Sequence, residues 1–394
     1  MISKFLVKTF IKDFKNIEDK KVRNSYGFLG SIVGIISNTL LFIIKILVGI
    51  ISNSISVTAD AFNNLSDVAS SVITLIGFKL SSKPADKEHP FGHGRIEYIS
   101  ALIVSFMVML VGFEFVKTSY NRIVNPVAIN FQLIPFILII LSILIKIWLS
   151  RFNKYIGDSI NSSALQASSF DALSDVITSS CVALSLVLSK WISLPIDGYI
   201  GIIVSLFIMY SGYTLIKETL NPLLGEAPDP KLVKNIIDEI LKYPYITGVH
   251  DLIVHNYGPG RCLASLHAEV PDNLPVVDIH EVIDRAEKEI SEKLNLELVI
   301  HMDPINTDNE EVNSLQKEVE KILLKYPTIK SFHDFRVVGS GEVKNLIFDI
   351  VIDYSVPFTN ELQENLKKDI SEDIKKIHAS YNTIITVDRD FTHI

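Results

Sequence analysis

The amino-terminal half of the chain is built from apolar runs long enough to cross a bilayer, beginning with "FLGSIVGIISNTLLFIIKILVGII". About 20 apolar residues in a helix span the hydrocarbon. In lipid a backbone must bond itself, so such runs are helices. Six candidates follow one another, at roughly residues 28–51, 56–80, 98–118, 131–150, 164–188 and 195–217. The first, third and fourth are almost free of charge, whereas the second and fifth carry carboxylates. The expected fold class is a membrane α-helical one, a six-helix transmembrane bundle followed by two small α+β cytoplasmic domains. The expected boundaries are a cytoplasmic segment at 1–26, the bundle at 27–222, and the two domains at 228–308 and 311–394.

Lysine and arginine near the span ends set the orientation. Lys4, Lys8, Lys12, Lys15, Lys20, Lys21 and Arg23 precede the first span, Lys83, Lys87 and Arg95 follow the second, and Arg151 and Lys154 follow the fourth. The alternate loops hold few, so both termini are expected on the cytoplasmic side of the cell membrane. The segment "ISKFLVKTFIKDF" reads either as a basic amphipathic helix on the membrane or as a frayed tail. It lacks the small-residue cleavage site of a signal peptide. The net charge of -8 averages a basic-rimmed membrane half and an acidic soluble half. No nucleic-acid partner is expected. Cys181 and Cys262 fall in different regions and read as free thiols.

Two of the weaker spans share a motif. Phe62-Asn63-Asn64-Leu65-Ser66-Asp67-Val68 matches Phe170-Asp171-Ala172-Leu173-Ser174-Asp175-Val176 at five of seven positions. In each, a ligand-type residue precedes an aspartate by four, which places both on one helix face. Asn63 with Asp67, and Asp171 with Asp175, can therefore converge on one point. Carboxylates in hydrocarbon are normally paired or functional. Lys45 and Lys146 lie in other spans, near ends where they can snorkel, so a divalent cation is the simplest partner. Three close carboxylates in a low dielectric repel one another and favour taking up protons when the metal leaves. That is a basis for exchanging metal against protons.

These motifs carry a resemblance. "ADAFNNLSD" and "FDALSD" look like the second- and fifth-span signatures of the cation diffusion facilitator family of metal exporters, over about residues 25–305. The resemblance implies divalent-metal efflux by a homodimer in the membrane, as an antiporter and not an enzyme, with no prosthetic group. Zinc members usually carry histidine at one or both first ligand positions, where this chain has Asn63 and Asp171. An all-oxygen set suits a hard ion such as Mn²⁺. Fe²⁺ is second, with Zn²⁺ and Co²⁺ behind. Members with aspartate at the fifth-span position are commonly associated with manganese or iron.

A second candidate site is "PADKEHPFGHGR", where Asp86, His89 and His93 have metal-ligand chemistry and the family loop carries ligands. A helix starting at Pro90 would pair the histidines; in a loop the spacing says little. Beyond "NPLLGEAPDP" come a helix, two alternating strands, a second helix and a third strand. This resembles the family's metallochaperone-like, dimerising C-terminal domain. His250, His267, His280, His301 and Asp303 fall at its metal positions.

The start of this module then recurs, "ILKYPYITGVHDL" against "LLKYPTIKSFHDF", so that 311–394 reads as a second copy. His333 matches His250 and Asp388 matches Asp303. Thr386 stands for His301, while His267 and His280 have no evident counterparts. Two ligands do not make a tight site, so the second copy reads as structural, a dimerisation or regulatory addition. An intramembrane aspartyl protease would need a "GxGD" motif, which is absent. A membrane metal sensor without transport leaves the matched membrane motifs unexplained, and no channel filter is visible.

Overall fold

The computed structural model describes residues 2–390 apart from Glu18, 52–54, 126–132, 189–195, Thr307, 340–342 and 354–358. The chain divides into two compact units. One holds Met1–Glu226 with Tyr257–Arg261, and the other holds Ala227–Asn256 with Cys262–Ile394.

The first unit is helical. A short helix, α1 (Ile2–Phe10), precedes six long ones: α2 (Lys20–Ile51), α3 (Ile55–Ser81), α4 (Ile96–Val124), α5 (Leu133–Ile160), α6 (Ser163–Leu188) and α7 (Ile196–Leu224). Each expected span falls on one of these six, although the expected starts at 131 and 195 lie outside the described residues. The count of six apolar spans needs correction. Among the described residues three stretches are long and apolar enough to cross a membrane: Lys20–Val48, Ile96–Val124 and Phe136–Ile160. Helices α3 and α6 carry the asparagines, aspartates and serines of the shared motif, which lower their apolarity. The apolar run of α7 gives way to Lys217, Glu218 and Thr219 before the helix ends.

Small residues set the spacing in this bundle, as they do where membrane helices approach closely. A Cβ on Gly34 of α2 would stand 2.7 Å from the Ser71 hydroxyl on α3. A Cβ on Gly77 of α3 would collide with the Ser100 side chain of α4. Helix α1 is not a frayed tail: Val7 and the following Ile11 are buried in a cluster with Tyr26, Phe78, Phe152 and Leu165. Beside that cluster Arg23 on α2 reaches Glu97 on α4 through two hydrogen bonds, of 2.8 and 3.0 Å. Its Nε donates to the Ile160 carbonyl at the end of α5. The Glu97 side chain is 1% exposed. One guanidinium thus ties three helices together.

The second unit holds two three-stranded sheets, each covered by two helices. In the first, α8 (Pro230–Ile240) and α9 (Val276–Leu294) pack on β1 (Gly248–Asn256), β2 (Cys262–Pro271) and β3 (Glu297–Ile305). Asp229 caps α8, its carboxylate accepting from the Lys231 amide at 2.9 Å, with Pro230 at the first helical position. Alternate residues of β2 point inward, and Ala264, Leu266 and Ala268 meet Ile236, Ile240 and Ile290 in the core. In the second, α10 (Glu310–Leu323) and α11 (Asn360–Ile377) pack on β4 (Ile329–Val338), β5 (Lys344–Asp353) and β6 (Tyr381–Asp390). The sheet orders are β1-β2-β3 and β4-β5-β6, and in both the first pair is antiparallel and the second parallel. The middle strands share one burial pattern, with Leu346, Phe348 and Ile350 buried in β5.

Because Glu97 is buried and charged, breaking its ion pair costs more than removing it whole. Arg23→Ala is expected to destabilise the detergent-solubilised protein by about 3 kcal/mol. The double variant Arg23→Ala/Glu97→Gln is expected to lose less than the sum of the two singles. Thermal unfolding of the four proteins in a double-mutant cycle checks it.

Candidate metal centres

In the membrane unit the motif residues occupy facing helices. Thr74 on α3 and Ser168 on α6 share a hydrogen bond of 3.1 Å, which sets the two helices side by side. Asp67 on α3 and Asp175 on α6 then converge, and a lysine stands between them. The Lys146 ammonium on α5 donates to Asp67 Oδ2 and to Asp175 Oδ2, at 2.6 Å each. Asp171, one turn before Asp175, lies within electrostatic reach of the same ammonium. Lys45 on α2 lies within such reach of Asp175. Both lysines are 3% exposed. They do not snorkel, and the placement of Lys146 near a span end was wrong because α5 continues to Ile160, which puts the lysine mid-helix.

Among the described residues the three aspartates do not close together as a metal-coordinating set. What joins Asp67 to Asp175 is Lys146. Asn63 is exposed. The asparagine that touches Asp67 is the next residue, Asn64, whose Nδ2 donates to Oδ2 at 3.3 Å. Asn64 Oδ1 is buried with no hydrogen-bond partner among the described residues. The one signal for Lys146 was that two carboxylate-bearing spans need a positive charge somewhere in the bundle.

The loop between α3 and α4 brings its three residues together. Asp86 Oδ1 accepts from the amides of Glu88 and His89, at 3.0 and 2.8 Å. Those amides, that of His89 first, hold the exposed carboxyl below its usual range. His93 Nδ1 donates to the Pro84 carbonyl at 3.2 Å, and its Nε2 lies 3.5 Å from Asp86 Oδ2. The His89 ring centroid is 4.7 Å from that of His93. A tautomer fixed at Nδ1 leaves Nε2 as a metal-ligating atom. The pairing arises in a turn, not on a helix from Pro90.

In the first sheet the strand register aligns His250, His267 and His301 in one row across β1, β2 and β3. Asp303 lies two residues beyond His301, on the same face. His267 Nδ1 donates to Asp303 Oδ2 at 2.8 Å, His250 Nε2 lies 3.2 Å from the same oxygen, and His301 Nε2 lies 3.4 Å from Oδ1. His280 does not join this group: it is exposed on α9, on the far side of the core from these rings.

The second sheet has the equivalent row of His333, Asp349 and Thr386, with Asp388 two residues on. The sequence reading missed Asp349, which holds the place of His267. An aspartate in a strand of alternating apolar residues looks like an ordinary outward-facing charge, and only the register shows which row it joins. One ligand atom from each of His333, Asp349 and Asp388 falls within 4.8 Å of the others. The second sheet is therefore less depleted of ligands than expected.

The composition of the site and the fold define a class: a polytopic membrane protein with cation-binding groups in its bundle and on an α+β appendage. Residues 31–224 match the cation efflux transmembrane domain, and residues 228–305 match the cytoplasmic domain of cation efflux proteins. Over 276 residues the chain is 33% identical to an uncharacterized transporter of Methanocaldococcus jannaschii, covering 70% of this chain and 97% of that one. It is 29% identical over 287 residues to the cation-efflux pump FieF of Salmonella agona, covering 72% and 95%. The FieF pump of Escherichia fergusonii shows the same identity and coverage. The chain belongs to the cation diffusion facilitator family of cation efflux transporters, whose members are transporters of divalent metal cations rather than enzymes.

Removing Lys146 leaves Asp67 and Asp175 facing one another without their cation. Lys146→Met is expected to destabilise the metal-free, detergent-solubilised protein by about 3 kcal/mol. An added divalent metal ion is expected to recover much of that loss and to raise the melting temperature more than it does in the wild type. Intrinsic-fluorescence melts with and without metal check it.

Proposed function

We propose that this protein exports Mn²⁺ from the cytoplasm across the cell membrane in exchange for protons, through a site formed by Asn63, Asp67, Asp171 and Asp175. The observation that carries this reading is the meeting of Asp67 and Asp175, from two matched motifs on two helices, around a single cation, the Lys146 ammonium. A point where two carboxylates hold one cation is chemically suited to hold another. The amide donor is Asn63, at the resemblance-assigned position, or its neighbour Asn64, which touches Asp67. Oxygen donors favour Mn²⁺, with Fe²⁺ next and Zn²⁺ or Co²⁺ after them. The ammonium and a divalent ion cannot share those oxygens, so entry of the metal requires Lys146 to withdraw and its return helps expel the metal.

The rest of the assignment follows the sequence reading. Asp86, His89 and His93 form a loop site, and His250, His267, His301 and Asp303 form a cytoplasmic site, with His280 outside it. Both termini lie in the cytoplasm on this reading, which the lysines and arginines near the helix ends support, and the match to the family's dimer-forming cytoplasmic domain supports a homodimer in lipid. Residues 311–394 are a second copy of that domain; the shared strand order and register support this, and the family match itself ends at 305.

Uptake of a divalent-metal panel into proteoliposomes under an imposed pH gradient tests the reading. Asp67→Ala and Asp175→Ala are each expected to abolish Mn²⁺ transport while leaving a folded dimer; retained transport in both variants would sink the site. The pair Asn63→His/Asp171→His is expected to shift preference from Mn²⁺ toward Zn²⁺, since nitrogen ligands suit zinc. Unchanged selectivity in a competition assay would count against the donor argument.

A further inference from the structure

The two sheets of the second unit do not keep their ligands apart. His250 of β1 and His333 of β4 face each other across the junction, ring centroids 4.2 Å apart. Each side chain is about nine-tenths buried, at 10% and 8% exposure. His333 Nε2 is buried and without a hydrogen-bond partner among the described residues, while His250 Nε2 faces Asp303 and its Nδ1 faces Asp251. A buried ring nitrogen left without a hydrogen bond carries a desolvation penalty.

A carboxylate faces a nitrogen of each ring. Asp251 Oδ2 lies 3.3 Å from His250 Nδ1, and its Oδ1 lies 3.5 Å from His333 Nε2. Asp251 gets there through its backbone. The register of β1 slips between His250 and Ile253, and Asp251 sits at φ 52°, in the left-handed region. Such a bulge re-aims a side chain out of the alternation of its strand. β4 repeats the bulge at Asp334, at φ 53°. There the carboxylate turns to Arg336 of its own strand. One of two equivalent aspartates therefore reaches across to the other sheet, and the other does not.

We propose that His250, Asp251 and His333 form a transition-metal site shared by the two sheets, taking Zn²⁺ or a similar borderline divalent ion. Two imidazoles and a carboxylate are a zinc-type donor set, with a fourth position open. Ligands held at about 2.0–2.1 Å on a tetrahedron stand about 3.4 Å apart, close to the 3.3 Å from His250 Nδ1 to Asp251 Oδ2 and the 3.5 Å from His333 Nε2 to the carboxylate's other oxygen. Asp388, its Oδ2 3.9 Å from His333 Nε2, stands beside the fourth position. One ligand atom from each of the three residues lies within 4.8 Å of the others. A bound ion would clasp β1 to β4. The site is independent of the transport reading and differs from the row on the first sheet, because it needs a residue that the family match does not cover.

The test uses the full chain carrying Asp67→Asn and Asp175→Asn, so that the membrane site is silent, with Co²⁺ as spectroscopic probe and Zn²⁺ as competitor. His333→Gln and Asp251→Asn are each expected to lose the same single equivalent of tetrahedral Co²⁺ absorption. Combining them is expected to lose no more than either alone. Full stoichiometry and affinity in His333→Gln, or additive losses, would overturn the proposal. A second measurement needs no substitution in this unit. Zn²⁺ is expected to slow amide hydrogen exchange in β1 and β4 together, and protection of β1 with β4 unchanged would overturn the shared site.

Discussion

The membrane unit depends on a buried charge balance. Placing Asp67, Asp171 and Asp175 among apolar helices is tolerable only if positive charge is brought to them, since an ion in low dielectric without a partner costs several kcal/mol. Lys146 supplies that charge from the middle of α5 and meets α3 and α6 at once. The glycine and serine contacts at Gly34, Ser71, Gly77 and Ser100 let α2, α3 and α4 close around this arrangement. The Arg23–Glu97 pair fixes the other end of the same helices. The pairing of Lys146 with two aspartates, the Arg23–Glu97 pair and these close small-residue contacts together define where the helices sit relative to one another.

Much of this was legible in the sequence, and the exceptions share a cause. The positions of the long helices followed from apolar patterning, although among the described residues only three are apolar enough to cross a membrane, and the α+β appendages followed from a change of period. The matched motifs pointed to α3 and α6 as the cation-facing helices, and the family match agrees with that class of function. Lys146 was misjudged because span ends are poorly marked in hydropathy: ten residues beyond the apolar run continue α5 to Ile160. The contact of Asn64 with Asp67 was not legible because a four-residue spacing names a face but not which neighbouring side chain also reaches it. Asp349 was missed because sheet register is a long-range property. The partnership of His250 with His333 joins residues that no local pattern relates.

The two sheets show how one architecture can be used twice with different chemistry. Each buries the alternate residues of its middle strand against two helices and leaves the opposite face for polar groups. On the first sheet that face carries three histidines in a row; on the second a carboxylate and a threonine replace two of them. The inner face is apolar in both, though its residues differ, because folding depends on that burial. The polar face is free to vary, and its surviving histidine is the one that meets the first sheet.

Placing both halves of the His250–His333 junction on one chain also changes its concentration dependence. A site assembled from two separate molecules gains or loses occupancy with the amount of protein present. Here the second imidazole is held near the first by the connecting chain, at an effective concentration fixed by covalent geometry. Occupancy of such a site responds to free metal alone, with the same threshold in a cell that holds few copies as in one that holds many.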